Sequence, residues 1–381
     1  MHKSILYVVN VDWYFDLHWM DRVRASIKKG YKVSVAVKIT NTDLEEKFKK
    51  MGLRVYDVPF SRKFGWFREL LLLKSLARVI DSSQLDICHA ITIKACFSVA
   101  LLSFLLRTKL VVYSFPGLGR LFSTKGGVLL GVFRNLVKLF FRIVFRFFRS
   151  STTFENNDDR ALLLGKCGHL LNRAKVLPGA GVNTERFCYL EKIFSKNLIV
   201  LFSGRLLKAK GLYDLVRVVD LMRANDFPVE LWVAGVVDIE GEGSISNDRL
   251  LSLCEQGSIQ KLFLNAKNIE EIIWDSDVVC LPTYYGEGIP RALIEGASCG
   301  RAVVTYDVSG CKDFVRNNEN GFLIKKGDVQ ALYNSLVILC NNRKLVNNMG
   351  LRGREIVESE YRNDIVIGAL LDIYDSIAFV R

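Results

Sequence analysis

Short apolar runs alternate with amphipathic stretches along the whole chain. In the first half these runs predict strands at 4–10, 32–38, 53–58, 87–90, 110–114 and 151–154. In the second half they predict strands at 198–203, 229–234, 278–281, 302–305 and 321–324. Apolar strands separated by helices are typical of parallel sheets that are covered on both faces. The pattern therefore predicts an α/β protein with two doubly wound, Rossmann-like domains.

A segment rich in Pro and Gly at 177–183 divides the two series of strands. A chain of 381 residues is also too long for one ordinary core. We predict an N-terminal domain at 1–182, a C-terminal domain at 183–360, and a final helix at 361–381 that packs back on the N-terminal domain. Because ligands of doubly wound sheets bind where the strands end, we expect the two domains to face a central cleft.

Positive charge is concentrated in the first half of the chain. Residues 1–190 carry 31 Lys and Arg against 14 Asp and Glu, a net charge of +17, whereas the remainder carries 22 against 26, or −4. A basic half is typical of proteins that bind nucleic acid, an anionic membrane or a phosphorylated substrate. The sequence has no helix-turn-helix and no aromatic ribonucleoprotein motif, so we expect no nucleic-acid partner.

Nine cysteines, an odd number without a CxxC pair, indicate a reducing compartment. The first residues read as a strand rather than a secretory signal, and no apolar run is long and uncharged enough to span a membrane. We therefore expect a cytoplasmic protein.

The segment 127–150 combines basic and apolar residues at helical spacing. At about 100° per residue, its cations fall within an arc of about 120°; they are Arg134, Lys138, Arg142, Arg146 and Arg149. The other side carries Phe133, Leu136, Phe140, Ile143, Val144 and Phe147. One interpretation is a helix in the headgroup layer, with its cations on anionic lipid and with Phe140 and Phe147 at the acyl boundary. The alternative is a domain helix that packs its Phe face on a core and leaves the cations in water.

The densest chemical signal lies at 281–295. A strand is followed by a loop that contains Glu287 and by a helix that would begin at Pro290. Free amides and the helix dipole at such a start favour a phosphate group. Glu295, on the same helix, can accept hydrogen bonds from sugar hydroxyls. Taken singly, either glutamate is more simply an ordinary surface residue.

A second cluster follows the first strand of the C-terminal half, in the passage Ser203-Gly-Arg-Leu-Leu-Lys-Ala-Lys-Gly211. Arg205 and Lys210 leave the strand end together, and two cations at one cleft suit a diphosphate. The passage lacks the GxxxxGK[ST] pattern of a Walker loop, so nucleoside triphosphate hydrolysis of that type is not indicated. Taken alone, the two cations are equally consistent with a solvated surface.

Together these segments resemble the glycosyltransferase family 4 proteins, whose GT-B fold consists of two facing Rossmann-like domains. The resemblance rests on the loop at 203–211, on the Glu-x7-Glu pair Glu287 and Glu295, and on the segments 295–305, 307–315 and 321–323. In the first half, three segments look like those of a subgroup that extends polyprenyl-diphosphate-linked glycans in bacterial O-antigen, capsule or N-glycan assembly. These segments are 86–94, 115–119 and 154–158.

The resemblance implies a retaining transferase that uses a nucleotide sugar, with UDP as the expected nucleotide. Arg205 and Lys210 would neutralise the departing diphosphate, Glu287 would lie beside the donor sugar, and no protein nucleophile is implied. These three are the expected catalytic residues, and Glu295 would hold the ribose hydroxyls. The full set of expected donor-binding residues is Gly204, Arg205, Lys210, Glu287, Gly288, Ile289 and Glu295.

The N-terminal half offers candidates for binding the acceptor, namely His89, Lys94, Phe115, Gly117 and Gly119. Family members often carry a His near the acceptor where this chain has Phe115 and Pro116, so activation of the acceptor by that His is not implied. His89 is a lone histidine at a strand end, and a structural role is the alternative for it.

Asp275-Ser-Asp277 is a DxD sequence, the metal signature of the other large glycosyltransferase fold. It directly precedes the predicted strand at 278–281, where the family has a structural Asp. The four histidines show no ligand spacing. We therefore expect no metal site and no cofactor, since the nucleotide sugar is a substrate.

The sequence thus predicts a glycosyltransferase that is peripheral on the inner face of the cell membrane. It would move a sugar from a UDP-sugar to a polyprenyl-diphosphate-linked saccharide during assembly of a surface polysaccharide such as lipopolysaccharide. Two alternatives are a nucleotide-sugar epimerase or hydrolase of the same fold, and a catalytically idle membrane-binding scaffold.

Overall fold

Two parallel sheets organise the chain in the computed structural model, which describes residues 3–61, 65–82, 85–106, 110–123, 127–147, 150–165, 168–238 and 241–379. Each sheet belongs to a unit of its own. One unit is Met1–Ala180 together with Asp364–Arg381, and the other is Gly181–Asn363. The prediction of two doubly wound, Rossmann-like α/β domains is confirmed.

The first unit is a parallel sheet in the order β3-β2-β1-β4-β5-β6-β7. Its strands are β1 (Ser4–Val11), β2 (Lys32–Lys38), β3 (Arg54–Asp57), β4 (Ile87–Ile91), β5 (Val111–Phe115), β6 (Ser150–Phe154) and β7 (Ala174–Val176). Its helices up to β7 are α1 (Asp12–Lys28), α2 (Thr42–Lys50), α3 (Trp66–Ser82), α4 (Ile93–Leu106), α5 (Arg120–Ser123), α6 (Val128–Phe147), α7 (Asn157–Leu164) and α8 (Gly168–Arg173). The strand order runs outward in both directions from β1, as in a doubly wound sheet.

The central strand β1 is apolar because both of its faces are covered. Leu6 and Val8 pack in a core that α3, α4 and α6 also line. Ile5, Tyr7 and Val9 lie in a second core, on the side of α1 and α2. Successive side chains of a strand point to opposite faces, so one run of buried residues anchors both layers of helices.

The second unit is a parallel sheet in the order β10-β9-β8-β11-β12-β13. Its strands are β8 (Leu198–Arg205), β9 (Val229–Val236), β10 (Lys261–Leu264), β11 (Val278–Leu281), β12 (Ala302–Tyr306) and β13 (Gly321–Ile324). Its helices are α9 (Leu212–Ala224), α10 (Asn247–Glu255), α11 (Ile269–Asp275), α12 (Arg291–Ser298), α13 (Cys311–Phe314), α14 (Val329–Asn341) and α15 (Arg343–Ile356), with a 3₁₀ turn at Lys208–Lys210 and a π-helical turn at Val357–Tyr361.

The last helix, α16 (Asn363–Phe379), contributes to the core of the first unit. Leu370, Ile373 and Tyr374 are buried beside Ile5 and Tyr7. The Tyr374 hydroxyl donates a hydrogen bond to the Tyr7 hydroxyl at 3.1 Å. The chain passes between the units after Ala180 and after Asn363, whereas the sequence places these boundaries after residues 182 and 360.

The helix that follows β1 begins at Asp12. The Asp12 carboxylate accepts hydrogen bonds from its neighbour Trp13 (2.7 Å) and from the amides of Thr40 (2.6 Å) and Asn41 (2.9 Å). A carboxylate at a helix start supplies acceptors for free amides, so the helix follows β1 without a loop. The sequence also misses β7 and β10, because these short edge strands are partly exposed and lack an unbroken apolar run.

Candidate active site

Two loops of the second unit bring the predicted donor residues together. β8 ends at Arg205, and the chain turns back through the 3₁₀ turn to Gly211, which has a φ of +82°. A Cβ at Gly211 would lie 1.9 Å from the carbonyl oxygen of Pro282, so only glycine permits this approach. The carbonyl of Ala209 accepts a hydrogen bond from the amide of Tyr284 at 2.8 Å. The loop after β8 therefore lies against the loop after β11.

Lys210 is the buried cation of this site. It is 5% exposed, and its Nζ forms an ion pair with Oε1 of Glu287. The same Nζ lies 5.2 Å from the ring centroid of Tyr285. Burial disfavours the charge, but the Glu287 carboxylate and Tyr285 outweigh burial, and the pKa of Lys210 is raised. Lys210 therefore carries its charge at neutral pH.

Arg205 is the second cation, and it shares a neighbour with Lys210. Its Nη2 donates to the Tyr285 hydroxyl at 3.1 Å, and its Nη1 lies 3.4 Å from Oδ2 of Asp238. Burial lowers the pKa of Arg205, but Tyr285, Glu287 and Asp238 together raise it. Tyr285 thus contacts both cations, through its hydroxyl and through its ring.

Asp214 fixes the loop that carries Tyr285. It lies in the first turn of α9 and accepts hydrogen bonds from the hydroxyls of Tyr284 at 2.6 Å and Tyr306 at 2.7 Å. Burial and the Asp214 carboxylate raise the pKa of Tyr284 to about 12. Both tyrosines remain protonated donors at neutral pH, and their bonds tie the loop after β11 to α9 and β12.

The start of α12 is held from behind by the segment after β12. Pro290 directly precedes the helix, which begins at Arg291, one residue later than predicted. A Cβ at Gly310 would lie 2.2 Å from the carbonyl oxygen of Gly288, so the two segments are in close contact. This contact places Gly288 and Ile289 at a helix start, where amides and the helix dipole favour an anion.

Glu295 lies on the buried side of α12 and is 9% exposed. Its Oε1 accepts hydrogen bonds from Arg291 one turn earlier, from Nε at 3.1 Å and from Nη2 at 2.9 Å. The pair fixes the orientation of the carboxylate. The donor residues predicted from the sequence therefore come from three neighbouring segments of one unit.

Sequence reasoning misses three residues of this site, Tyr285, Asp238 and Asp214. Tyr285 stands two positions before Glu287, so it lies within the loop motif that was already identified from the sequence. Asp238 follows β9, and it reaches Arg205 only because β8 pairs with β9 in parallel up to Arg205 and Val236. No short-range motif contains that pairing.

Replacing Tyr285 with Phe should raise KM for the donor about fivefold to tenfold, because Arg205 loses the hydroxyl that orients it while Lys210 keeps the aromatic ring. Steady-state kinetics with varied nucleotide sugar measures this effect. The matched control is Tyr284→Phe, which removes a hydroxyl bound to Asp214 and none bound to a cation. Equal effects in the two variants would contradict a specific role for Tyr285.

The DxD sequence has a structural role in this fold. Asp277 is 1% exposed, and its Oδ2 accepts a hydrogen bond from the amide of Ile199 at 2.8 Å. Arg343 also lies 3.3 Å from Oδ2, and Lys192 lies 3.6 Å from Oδ1. The Oδ1 atom accepts no hydrogen bond from any described residue, and the bond through Oδ2 links the end of α11 to β8.

His89, predicted as an acceptor-site group, is instead a fully buried structural residue. Its Nδ1 lies 2.6 Å from the Tyr374 hydroxyl, and its Nε2 lies 2.7 Å from Oγ of Ser114. Burial and, after it, the charge of Arg22 lower the pKa of His89 to about 3. Both ring nitrogens are therefore engaged by neutral partners, and the imidazole is uncharged at neutral pH.

The buried His89 should make stability depend on pH. In the unfolded chain a histidine binds a proton below about pH 6.5, but in the folded protein His89 binds one only near pH 3. The unfolded state binds more protons in this window, so stability should fall by about 1 kcal/mol per pH unit as pH decreases below about 6.5. Denaturant unfolding of the wild type and His89→Gln measures the difference, and equal pH slopes would contradict it.

Of the other acceptor candidates, Lys94 is hydrogen-bonded, Phe115 is buried, and the two glycines lie in a loop. Lys94 Nζ is bound at 2.7 Å to both the Ser61 carbonyl and Glu69, and Phe115 is a 1% exposed core residue. Gly117 and Gly119 lie in the loop after β5, with φ values of 148° and 63°.

Beside that loop lies a small cavity of about 10 Å³, room for about one water molecule, at the carboxyl ends of β5 and β6. Phe115, Pro116 and Glu155 line it, together with Arg22, whose side chain the sequence did not single out. Arg22 is 4% exposed, and its Nη1 and Nη2 donate to the carbonyls of His18 (2.8 Å) and Gly179 (3.1 Å). Its Nε has no hydrogen-bond partner among the described residues.

The basic segment forms α6, and three of the four cations in this helix lie against other parts of the first unit. Arg134 Nε donates to the Leu121 carbonyl at 2.5 Å, and Arg142 Nε donates to the Leu163 carbonyl at 3.1 Å. Lys138 Nζ lies 5.7 Å from the ring of Phe122. Arg146 is exposed, as is Phe147, whereas Phe140 is half-buried against Phe97. Arg149 lies outside the described residues.

The described part of the chain contains neither a membrane-spanning helix nor a cluster of metal ligands. No helix there has the length and apolarity needed to cross a bilayer. No group of three or more His, Cys, Asp or Glu side chains there could hold a metal ion.

Two glycosyltransferase family models match this chain. The family model of glycosyl transferases group 1 matches residues 190–356, and the glycosyl transferase 4-like model matches residues 4–151. The capsular polysaccharide biosynthesis glycosyltransferase CapM of Staphylococcus aureus is 24% identical, over 93% of each chain. The N,N'-diacetylbacillosaminyl-diphospho-undecaprenol alpha-1,3-N-acetylgalactosaminyltransferase of Campylobacter jejuni is also 24% identical, over 92% of this chain and 93% of its own.

Solved structures give the same fold. A glycosyltransferase from Rickettsia africae has a TM-score of 0.78 at 18% identity, over the full length of both chains. Anabaena HepE in complex with UDP has a TM-score of 0.75 at 15% identity, over 99% of this chain and 100% of its own. The matched family models, the curated relatives and the fold lead to one conclusion: this chain is a glycosyltransferase that belongs to glycosyltransferase family 4 and has the GT-B fold.

Proposed function

We propose that the protein transfers a sugar from a UDP-sugar to a polyprenyl-diphosphate-linked saccharide, with retention of the anomeric configuration. The observation that carries this proposal is the convergence of Arg205 and Lys210 on Tyr285, beside Glu287. Two fixed cations at this distance from one ring suit the two phosphates of a nucleoside diphosphate.

Arg205 and Lys210 act on the charge that develops during the reaction. As the bond between the anomeric carbon and the donor phosphate breaks, negative charge grows on the departing diphosphate. Cations that are already positioned in a partly buried site stabilise this charge without reorganisation. We propose no metal ion, because these two side chains supply the positive charge at the diphosphate.

Retention follows if the acceptor attacks from the side on which the diphosphate leaves. The acceptor hydroxyl forms the new bond to the anomeric carbon and gives its proton to an oxygen of the departing diphosphate. No protein nucleophile takes part. Glu287 lies beside the sugar of the UDP-sugar. The amides of Gly288 and Ile289 donate hydrogen bonds to an oxygen of the UDP-sugar, and the Glu295 carboxylate accepts hydrogen bonds from the ribose hydroxyls.

Relatives and charge support the nature of both substrates. The HepE complexes contain UDP or UDP-glucose. The relatives from Campylobacter jejuni and Escherichia coli are named for diphospho-undecaprenol acceptors. A net charge of +17 in residues 1–190 suits a diphosphate lipid and an anionic membrane.

For the acceptor, we propose the carboxyl-end edge of the first sheet, near Gly117, Gly119 and the cavity that Arg22 lines. The reaction would then take place at the inner face of the cell membrane, during assembly of a bacterial surface polysaccharide such as capsule or lipopolysaccharide O-antigen.

The direct test incubates the protein with a panel of UDP-sugars and a defined polyprenyl-diphosphate saccharide. We expect one UDP-sugar to be consumed only when the acceptor is present, with one sugar added to the lipid. Equal consumption without acceptor would favour a hydrolase or epimerase. Failure to bind UDP in calorimetry would favour a catalytically idle scaffold.

A further inference from the structure

The Arg205 guanidinium has two side-chain partners of different chemistry. Its Nη2 donates to the neutral Tyr285 hydroxyl at 3.1 Å, and its Nη1 donates to Oδ2 of the Asp238 carboxylate at 3.4 Å. Carboxylate and phosphate oxygens bind the same donors of a guanidinium. Asp238 therefore uses a donor of Arg205 that a diphosphate also needs.

The loop after β9 fixes the position of Asp238. The amide of Leu206 donates to the Val236 carbonyl at 3.0 Å, and the carbonyl of Leu206 accepts a hydrogen bond from the Ile245 amide at 2.8 Å. A Cβ at Gly241 would lie 2.9 Å from Cγ of Asp238, so this part of the loop leaves room for the carboxylate and for no larger neighbour. The Asp238 side chain is only 12% exposed. Its contact with Arg205 is therefore part of the folded loop and not a chance encounter at the surface.

The charges of this cluster cancel before a ligand binds. Arg205 and Lys210 are paired with Asp238 and Glu287, one carboxylate to each cation. UDP carries about three negative charges at neutral pH, and the diphosphate of a UDP-sugar carries about two. A cluster without net charge attracts these ligands less than two uncompensated cations do.

The two ion pairs differ in how readily a ligand reaches them. The Lys210 side chain is 6% exposed and that of its partner Glu287 is 24% exposed, whereas the Arg205 side chain is 41% exposed. The pair of Arg205 and Asp238 is therefore the one that a diphosphate can open from solvent.

We propose that Asp238 is a counter-ion that the diphosphate displaces from Arg205, and that it pairs with Arg205 again when UDP leaves. This inference rests on the proposed function for its nucleotide substrate. Asp238 is a positioning residue because it acts through Arg205, while Tyr285 keeps the guanidinium oriented during the exchange. UDP has one more negative charge than the diphosphate of the UDP-sugar, so Asp238 opposes the product more strongly than the donor. Asp238 thereby limits inhibition of the enzyme by its product.

The opposite role for Asp238 would be to orient Arg205 for the diphosphate. A carboxylate that orients a guanidinium typically forms two parallel hydrogen bonds with it. The contact between Arg205 and Asp238 is a single one, and it is longer than the bond from Arg205 to Tyr285. The two roles predict opposite effects on UDP affinity when the charge of Asp238 is removed.

Calorimetric titration with UDP tests the proposal. We expect Asp238→Asn to lower Kd for UDP about fivefold to tenfold, because the diphosphate no longer competes with a carboxylate for Arg205. Asp238→Ser also removes the charge and should give the same gain. The matched control is Glu242→Gln, which removes an exposed acid of the same loop and should change Kd by less than about twofold. Thermal unfolding verifies that each variant is folded.

Uridine separates an effect on the diphosphate from a general change of the loop. It has no phosphate, so Asp238→Asn should bind it as the wild type does in competition experiments. In steady-state kinetics the inhibition constant of UDP should decrease more than KM for the UDP-sugar. Equal or weaker binding of UDP to Asp238→Asn would overturn the inference, as would an equal gain for uridine. Failure of the wild type to bind UDP would contradict the proposed function instead.

Discussion

Replacing Lys210 with Met should lower kcat/KM for sugar transfer by about a thousandfold, mainly through kcat. Lys210 is the cation that the structure buries beside Glu287, and a fixed charge in such a site contributes most when the diphosphate departs. Methionine fills similar space without the charge. Steady-state and single-turnover kinetics with a saturating acceptor measure the effect.

The neighbouring Lys208 provides the matched control, since it lies in the same 3₁₀ turn and is exposed. Lys208→Met should retain activity near that of the wild type. Lys210→Met also removes the buried ion pair with Glu287, so thermal stability should decrease, and Lys210→Met/Glu287→Gln should recover it without recovering activity. A Lys210→Met enzyme within about tenfold of wild-type kcat would contradict the role assigned to this residue.

Replacing Glu295 with Ala should reduce transfer at low donor concentration by about a hundredfold to ten-thousandfold. Two hydrogen bonds from ribose hydroxyls to a charged acceptor contribute about 1.5–3 kcal/mol each. Because these bonds exist before and during the reaction, the change should appear chiefly in KM for the donor and in Kd for UDP. Calorimetric titration with UDP measures the binding part directly.

The control for Glu295 is Glu319→Ala, which removes an exposed glutamate that forms an ordinary ion pair with Arg352. That variant should bind UDP as the wild type does. The fold should survive in both proteins, because among the described residues the Glu295 side chain pairs within its own helix turn, with Arg291. Wild-type affinity for UDP in Glu295→Ala would exclude Glu295 as a ribose ligand.

The donor half of the molecule was predictable from the sequence because its signals are local. The cations follow a strand that is apolar throughout, and the two glutamates flank a proline that begins a helix. The residues around each motif therefore indicate that the motif lies at the end of a strand. The topology of a parallel sheet then placed those ends along one edge.

The first unit was less predictable because its polar contacts join distant parts of the chain. His89 is buried by Tyr374, which lies 285 positions further along, and no periodicity near His89 indicates that contact. The outward face of α6 is decided in the same way. Val137, Phe141, Val144 and Phe145 are buried, its arginines bind the carbonyls of Leu121 and Leu163, and the other apolar arc therefore faces solvent. The carbonyls of Leu121 and Leu163 lie outside α6, so the spacing of residues within the helix does not indicate these contacts.

The most direct test of the proposed function is the configuration of the bond that the enzyme makes. The purified protein is incubated with an α-configured UDP-sugar and a defined polyprenyl-diphosphate saccharide, and the product is examined by proton NMR. We predict a single added sugar in α linkage, formed without added metal ion and absent from the Lys210→Met reaction. A β-linked product, or equal product from Lys210→Met, would contradict a retaining transfer in which Arg205 and Lys210 stabilise the departing diphosphate.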